Sequence, residues 1–563
     1  MVFERFHPKY AFEHIRRYRH IMAVLMKYGF EEVADALRKR FTIRFGEQVA
    51  PIKVKSAAKG RSRAERTRLA LQDMGPTFIK MGQLLSTRPD LIPDEYITEL
   101  EKLQDQVAPV SLSEIQGELE RELENKVEDV FSNFESRPLA AGSIAQVHRA
   151  RTKDGQEVVL KIRRPNIKKT VMAECHILDD ISGLLKNTFF AGDTIDPHKM
   201  VRELTEAILQ EVDLANEMRN QIRFIKAFAD DTTVHIPNVY EKYCTEGLLV
   251  MEYIDGVKAA SKQSVEAKGL NPKLLAHRAS NFVLRQIFEF GFFHTDPHTG
   301  NFFILTENVL VPIDFGQVAF LSSQDRQLLS EVVLTIVDND AGRLVRAFDQ
   351  NDMITEATDM NQLDTDIEQI LATYHNLPLK DIPFGRVAAQ IFQILRRHRV
   401  RPPTHFTLML KSMMTVENLA HRLDPDFNLV ENLKPYSRRV VYQYLDPRQV
   451  LKNLRRAAVA AQALVTRLPE DFDAILKKFR QGKFQLRVHH EHLENLATTL
   501  NKSSNRVSFA LIIAALLISS SMLVTQQGTI LGLALQSLGI VGYLIAAVMG
   551  LGLLISIIRS KHY

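Results

Sequence analysis

The stretch Phe293-His294-Thr295-Asp296-Pro297-His298-Thr299-Gly300-Asn301 holds a histidine, an aspartate two residues later and an asparagine five residues after that. H-x-D-x-x-x-x-N is the spacing of a phosphoryl-transfer catalytic loop. Thirteen residues beyond Asn301, the apolar run Val309–Ile313 reads as a strand that delivers Asp314-Phe315-Gly316. Mg²⁺ takes oxygen ligands in near-octahedral geometry, and the Asp314 carboxylate with the Asn301 amide oxygen supplies two of them against nucleotide phosphates. Asp296, on the same loop, is placed to orient or deprotonate an attacking hydroxyl or water. Each motif alone has a plainer reading. D-F-G fits an ordinary turn, and His294 and His298 suit structural hydrogen bonds. Their meaning comes from what precedes them.

Working upstream, Leu248–Tyr253 is an apolar strand closing on Met251-Glu252-Tyr253, a segment suited to a hinge whose backbone meets an adenine edge. Gln146–Arg151 and Glu157–Ile162 read as strands joined by a turn at Asp154-Gly155. Lys161 stands in Val158-Val159-Leu160-Lys161, close to the V-A-I-K strand whose lysine pairs with nucleotide phosphates; by itself it is equally a lysine snorkelling from a strand end. Ala140-Ala141-Gly142-Ser143-Ile144-Ala145 is a run of mostly small side chains through which backbone N–H groups can approach phosphate. With Val147 on the following strand, it forms the predicted wall of the nucleotide pocket. Strand, lysine, hinge, loop and D-F-G in this order predict an ATP/ADP and Mg²⁺ site. The amphipathic stretch Pro197–Phe228, read as one helix, carries Glu211, Asp213 and Glu217. At about 100° per residue, Asp213 and Glu217 share a face and Glu211 points away, so the two glutamates serve different partners. A solvated acidic face is the plain alternative.

The rest of the chain is two kinds of polymer. Its 563 residues are 45% hydrophobic and 25% charged, ordinary globular proportions that exclude a disordered or wholly polytopic chain. A net charge of +5, from 72 basic against 67 acidic residues, gives no case for nucleic acid. Cys175 and Cys244 cannot build a disulfide framework or a four-cysteine zinc site, which favours a reducing compartment. Yet the mean hydropathy of −0.12 hides 52 residues between Arg506 and Arg559 without one Asp, Glu, Lys or Arg. Two membrane spans, 507–524 and 538–558, fit this run, with a polar turn at Thr525-Gln526-Gln527-Gly528-Thr529. Lys502, Arg506, Arg559 and Lys561 flank the hairpin and place both ends on the cytoplasmic face. Gly542, Ala546 and Gly550 form a small-residue stripe for packing within the hairpin or for a homodimer contact. Met1–Ala11 lacks the pattern of a signal peptide. The basic run Lys53–Arg68 suits either anionic lipid headgroups or a solvated linker, and the basic, amphipathic Asp446–Asn501 suits a membrane-proximal link or plain helical packing. Arg343–Leu423 reads as helices broken at Pro378, Pro383, Pro402 and Pro403. No zinc motif, flavin fingerprint or repeat is present.

Several features depart from ordinary protein kinases. Alanines replace a glycine-rich loop, Thr295 replaces the arginine of H-R-D, and no A-P-E follows Gly316. Gln317–Ser322 runs straight into a helix at Gln324–Val337, which leaves little platform for a peptide. Gly75-Pro76-Thr77-Phe78-Ile79-Lys80-Met81-Gly82-Gln83 then makes the likeness specific. It resembles the K-x-G-Q block of the UbiB family of atypical protein-kinase-like proteins. The alanine-rich loop, the E-x-D at Glu211 and Asp213, the loop His294–Asn301, Asp314–Gly316 and the C-terminal hairpin match that family in order, over residues 69 to 563. Gly142 departs from it, standing where the family usually has another alanine.

The resemblance implies an α+β, two-lobed protein-kinase-like fold with an N-terminal helical extension and a C-terminal transmembrane helical hairpin. The expected units are an N-terminal helical and basic region (1–68), the K-x-G-Q extension (69–125), a kinase-like core (126–340), a helical C-lobe extension and membrane-proximal linker (341–500), and the two spans. By motif match, Lys80 and Gln83 belong to a regulatory block, with Lys80 reaching the E-x-D carboxylates Glu211 and Asp213, while Glu217 pairs with Lys161. The implied function is a membrane-anchored, Mg-dependent ATPase or small-molecule kinase supporting ubiquinone biosynthesis on the cytoplasmic side of the cell inner membrane. Its implied partners are membrane lipids and ubiquinone precursors or biosynthesis proteins. The alternatives are a true protein kinase acting on a pathway partner and a nucleotide-gated, non-enzymatic scaffold.

Overall fold

A computed structural model describes residues 8–45, 57–89, 91–103, 108–188, 197–259, 261–338, 340–355, 358–375, 377, 382–444, 493–525, 529–530 and 533–559. The expected linker over 446–492, Ala191-Gly192-Asp193 and the turn residues 526–528 lie outside the described residues. The chain divides into two compact units, 1–452 and 453–563.

The first unit begins with α1 (Pro8–Lys27), α2 (Glu31–Phe45), α3 (Arg63–Met74), α4 (Pro76–Ser86) and α5 (Asp94–Leu100). Ser62 caps α3 by accepting a hydrogen bond from Glu65 N at 3.1 Å. Gly75 then turns the chain at φ 105°, a left-handed value, and Pro76 starts α4 at its first turn. Gly82 lets α4 pack closely: a Cβ there would lie 2.3 Å from Leu103 Cδ1 and 3.0 Å from Leu71 Cδ1. Phe78 of α4 is buried in a core with Ile21, Met22 and Leu37 of the first two helices.

α6 (Leu112–Leu123) and the single turn α7 (Val127–Val130) lead into an antiparallel sheet of β1 (Phe131–Phe134), β2 (Ala140–Ala141), β3 (Ala145–Thr152), β4 (Glu157–Arg163) and β5 (Leu248–Glu252). The order is β1-β3-β4-β5, with β2 pairing on β3. Strand alternation sorts β4. Val158, Leu160 and Ile162 are buried on one face against Ile115 and Leu119 of α6, which leaves Lys161 on the other. Between β4 and β5 in sequence run α8 (Ile167–Thr188), α9 (Pro197–Val212) and α10 (Leu214–Ala227). The single helix expected over Pro197–Phe228 is thus two helices. Asp213 leaves helical geometry at φ −94°, ψ 96° and caps α10 by accepting from Ala215 N at 3.1 Å.

The large lobe is mainly helical. β6 (Val257–Lys258), α11 (Lys262–Glu266) and α12 (Pro272–Arg285), which ends in a π turn at Gln286–Phe290, are followed by β7 (Phe292–His294), β8 (Phe302–Ile304), β9 (Leu310–Pro312) and β10 (Val318–Phe320). β7 pairs with β10, and β6, β8 and β9 form a second small sheet. α13 (Ser323–Asp338), α14 (Ala341–Gln350), α15 (Met360–His375), α16 (Phe384–Arg397), α17 (Thr404–Leu423) and α18 (Leu429–Tyr444) complete it. Its core joins Phe224 of α10 to Phe282, Phe293, Phe302, Phe315 and Phe392.

The second unit is a helical hairpin: α19 (Leu493–Val524), the short strands β11 (Thr529–Ile530) and β12 (Leu533–Ala534), and α20 (Leu535–Arg559). The windows Ser504–Val524 and Gln536–Leu554 have mean hydropathies of 2.4 and 2.1, and each is long and apolar enough to cross a membrane. Their outer faces are bare apolar side chains, with Leu511 66% and Val548 72% exposed. Part of the small-residue stripe packs inside the hairpin. A Cβ on Gly542 would come within 2.1 Å of Ser520 Oγ, and Ala546 is buried, whereas Gly550 faces open space.

Candidate functional site

Lys161 projects from β4 toward α10, where its ammonium donates to both carboxylate oxygens of Glu217 at 2.7 Å each. Asp314 Oδ1 lies 3.9 Å from the same nitrogen. Burial opposes a charge on Lys161, but Glu217 and then Asp314 outweigh it and hold the ammonium well above the usual lysine value. Asp314 is held well below the usual carboxylate range: burial pushes it up, and Lys161, His294 and the Gly316 N–H prevail in the other direction. Lys80, buried in α4, forms an ion pair with Glu211. The break at Asp213 makes this cluster. On one straight helix Glu211 and Glu217 would diverge, but here both flank Gly316, where a Cβ would meet Glu217 Oε2 at 3.6 Å and Glu211 Cγ at 3.9 Å. Gln317 Nε2 donates to Glu211 Oε2 at 3.4 Å. Two lysines thus meet three carboxylates.

The catalytic-type loop is tied from below. Val318 of β10 pairs with His294 of β7, and Thr295 N donates to Gln317 O at 3.0 Å. His294 Nδ1 accepts from Asp296 N at 3.0 Å, Gln286 Oε1 accepts from His294 N at 2.9 Å, and Ser412 of α17 donates to His294 O at 2.7 Å. Burial pushes the His294 imidazole down, which suits this acceptor role. His294 is therefore a positioning residue under Asp296. Asn301 Nδ2 donates to Asp296 O at 3.4 Å, which leaves its amide oxygen to accept; Asp314 Oδ1 is fixed by Gly316 N at 2.9 Å. Phe315 is buried 5.0 Å from the Phe224 ring, and Asn220 Nδ2 donates to Phe315 O at 3.0 Å. This oxygen set, an amide and a fully ionised carboxylate, has the chemistry a hard divalent cation requires.

The alanine-rich segment is a β-hairpin rather than an open cradle. Ala140 pairs with Val147 and Ala141 with Gln146, and Gly142 N donates to Ala145 O at 2.9 Å. Ser143 and Ile144 form the buried tip. Arg164, which the sequence did not single out, clamps it by donating to Gly142 O at 2.8 Å and to Ala108 O at 2.9 Å. At the hinge, Met251 is buried, and the Glu252 side chain turns away from the cleft to bind His235 Nε2 at 3.0 Å and Asn238 N at 3.0 Å. Glu252 N donates to Asn238 O and Tyr253 N to Glu157 O, so those two donors are spent. Among the described residues the next backbone donor without a hydrogen bond is Ile254 N, directly after the predicted hinge segment Met251-Glu252-Tyr253. Two regulatory candidates lie outside the cluster: Asp213 caps α10, and Gln83 Nε2 donates to Leu103 O at 3.2 Å. Asn220, one turn after Glu217, was legible only by helical spacing once the break is known.

Beside the cluster lies a cavity of about 560 Å³. Leu84 and Thr87 from the end of α4, Ala207 and Gln210 of α9, Thr295 and Gly316 at the catalytic loop, and Leu408 of α17 are among its walls.

Comparison with known proteins matches residues 102–348 to the ABC1 atypical kinase-like domain, 367–428 to the UbiB helical domain and 491–559 to the ABC1/UbiB kinase-like C-terminal domain. A Clostridium pasteurianum protein described as "Uncharacterized protein in hydrogenase 1 5'region" is 32% identical over 551 residues, 97% of this chain and 99% of that one. A Shewanella oneidensis protein named "Probable protein kinase UbiB" is 30% identical over 523 residues, 92% of this chain and 94% of its own. Among solved structures, the Rv3197–erythromycin complex from Mycobacterium tuberculosis aligns with a TM-score of 0.41 at 23% identity, covering 62% of this chain and 91% of that one.

Proposed function

Because this chain belongs to the UbiB family of atypical protein-kinase-like proteins, we propose that it is a membrane-anchored, Mg-dependent ATPase or small-molecule kinase that supports ubiquinone biosynthesis. The observation that carries this reading is the convergence of Lys161, Glu217 and Asp314, with Asp296 and Asn301 on the adjoining loop. Lys161 meets phosphate oxygens, Asp314 and Asn301 hold Mg²⁺, and Asp296 orients or deprotonates the nucleophile. Adenine sits against the hinge, with Ile254 N as donor. The cation neutralises the developing phosphoryl charge when bound, and the surplus carboxylate among two lysines and three acids favours it.

The size and walls of the cavity support a small acceptor over a protein. Leu84 and Thr87 from the K-x-G-Q helix occupy one side of it, and residues 317–322 give no extended platform. The two apolar helices anchor the body at the inner membrane with its catalytic side cytoplasmic, where a polyprenylated ring buried in lipid can be reached. The test is hydrolysis and transfer of labelled ATP by the purified full-length protein, with candidate pathway partners and phenolic quinone-precursor mimics present. Mg-dependent phosphate release or small-molecule labelling that vanishes in Asp314→Asn is the expected result. Stoichiometric labelling of a partner protein, lost in Lys161→Ala, would replace this reading by the protein-kinase one.

A further inference from the structure

Lys411 lies in the region matched to the UbiB helical domain, more than a hundred residues from the catalytic loop. α17 nevertheless packs directly under that loop. Its Ser412 donates to His294 O at 2.7 Å, and its Thr404, His405 and Leu408 wall the cavity that opens on Thr295 and Gly316. Lys411 follows Leu408 by three residues and Thr404 by seven, which puts it on their face of the helix, one turn deeper. It is partly buried, and among the described residues its side chain makes no ion pair or hydrogen bond. The charged groups acting on it are both carboxylates, Asp296 of the catalytic loop and Glu101 after α5, and burial pushes its pKa down despite them.

An ammonium withdrawn from water, with carboxylates near it but none in direct contact, is costly, so such a group suits a place where an anion arrives to match it. Asp296 is the residue nearest the reacting end of the nucleotide in the reading above. The loop itself, Asp296-Pro297-His298-Thr299-Gly300-Asn301, carries no lysine or arginine. We propose that Lys411 binds the γ-phosphate of ATP, so that the helical domain completes the nucleotide site with a cation the catalytic loop lacks. This rests on the assignment of the site to ATP and adds the group that distinguishes the triphosphate from the diphosphate.

The test measures binding of Mg-AMP-PNP and Mg-ADP to the full-length protein by calorimetry, for wild type, Lys411→Met, Lys411→Arg and Lys161→Met. Loss of one charge-assisted contact should weaken AMP-PNP roughly 10- to 100-fold in Lys411→Met while ADP changes less than about twofold, with partial recovery in Lys411→Arg. Equal losses for both nucleotides would mark Lys411 as structural and overturn the proposal, as would no loss for either. If Lys161→Met weakens both nucleotides while Lys411→Met does not discriminate between them, only the role of Lys411 fails. If wild type binds neither nucleotide, or Lys161→Met changes nothing, the assignment to ATP fails and this proposal with it.

Discussion

Lys161 and Glu217, 56 residues apart, form a two-pronged ion pair at 2.7 Å in which the carboxylate is almost wholly buried. Removing the lysine strands that carboxylate. Lys161→Ala should therefore cost about 3 kcal/mol of stability at pH 8, as well as nucleotide binding. The cost should be smaller near pH 5. Burial, the largest influence on Glu217, already pushes its pKa up to about 7 against the pull of Lys161, and without that lysine it rises further, so the stranded acid keeps a proton that the unfolded chain releases near pH 4.5. A group whose folded pKa is raised loses its stabilising contribution as pH rises, so the variant should grow less stable from pH 5 to 8 relative to wild type. Urea unfolding of both proteins across that range is the check; parallel curves would contradict it.

Gly82 is fixed by packing. With Leu103 Cδ1 and Leu71 Cδ1 at 2.3 and 3.0 Å from a Cβ position, and both leucines buried, Gly82→Ala should destabilise the protein by about 1–3 kcal/mol. Limited proteolysis should show cleavage between α3 and α5 at lower protease concentration than in wild type.

Gly142 is the opposite case. A Cβ there would lie 3.5 Å from Ala145 O, an ordinary contact, so Gly142→Ala should leave the melting temperature within about 2 °C of wild type. Arg164→Ala, which releases the clamp on the hairpin tip, should lower it more. Thermal unfolding of the two variants side by side decides between them.

Asp366 joins the C-lobe helices, accepting from His398 Nε2 and from Arg397 Nη1, each at 2.9 Å. The His398 hydrogen bond first, then Gln362 and Arg397, hold its pKa down to about 2. A depressed carboxylate contributes stability above its unfolded value that is lost as pH falls toward the folded one. Wild type should therefore lose stability between about pH 4 and pH 2 more steeply than Asp366→Asn, as followed by circular dichroism in acid titrations.

Much of this molecule was readable along the chain because the signals are short. The spacing His294–Asp296–Asn301, the strand before Asp314 and the alternation in β3 and β4 are local properties, and each lies where it was expected. The break at Asp213 was not readable. Apolar periodicity runs on through Pro197–Phe228, and an N-cap aspartate inside it looks like one more surface acid. The pairs Lys80–Glu211 and Lys161–Glu217 are those the family resemblance implies, while the break takes Asp213 away from Lys80 to cap α10. The side-chain ties of Glu252 and Arg164 were not readable for another reason. Their partners, His235 and Asn238 for one and the hairpin carbonyls for the other, are set by tertiary packing that periodicity does not encode. The same holds for Lys411, carried beneath the catalytic loop by a helix far along the chain.

The account turns on whether Asp314 and Asn301 hold a divalent cation against a nucleotide beside Lys161. Calorimetric titration of ATP into the full-length protein, with Mg²⁺ and with EDTA, for wild type and Asp314→Asn, addresses this directly. Wild type should bind ATP at least tenfold more tightly with Mg²⁺ than without, and Asp314→Asn should lose that difference. An Asp314→Asn protein that keeps the full Mg²⁺ dependence would contradict the account.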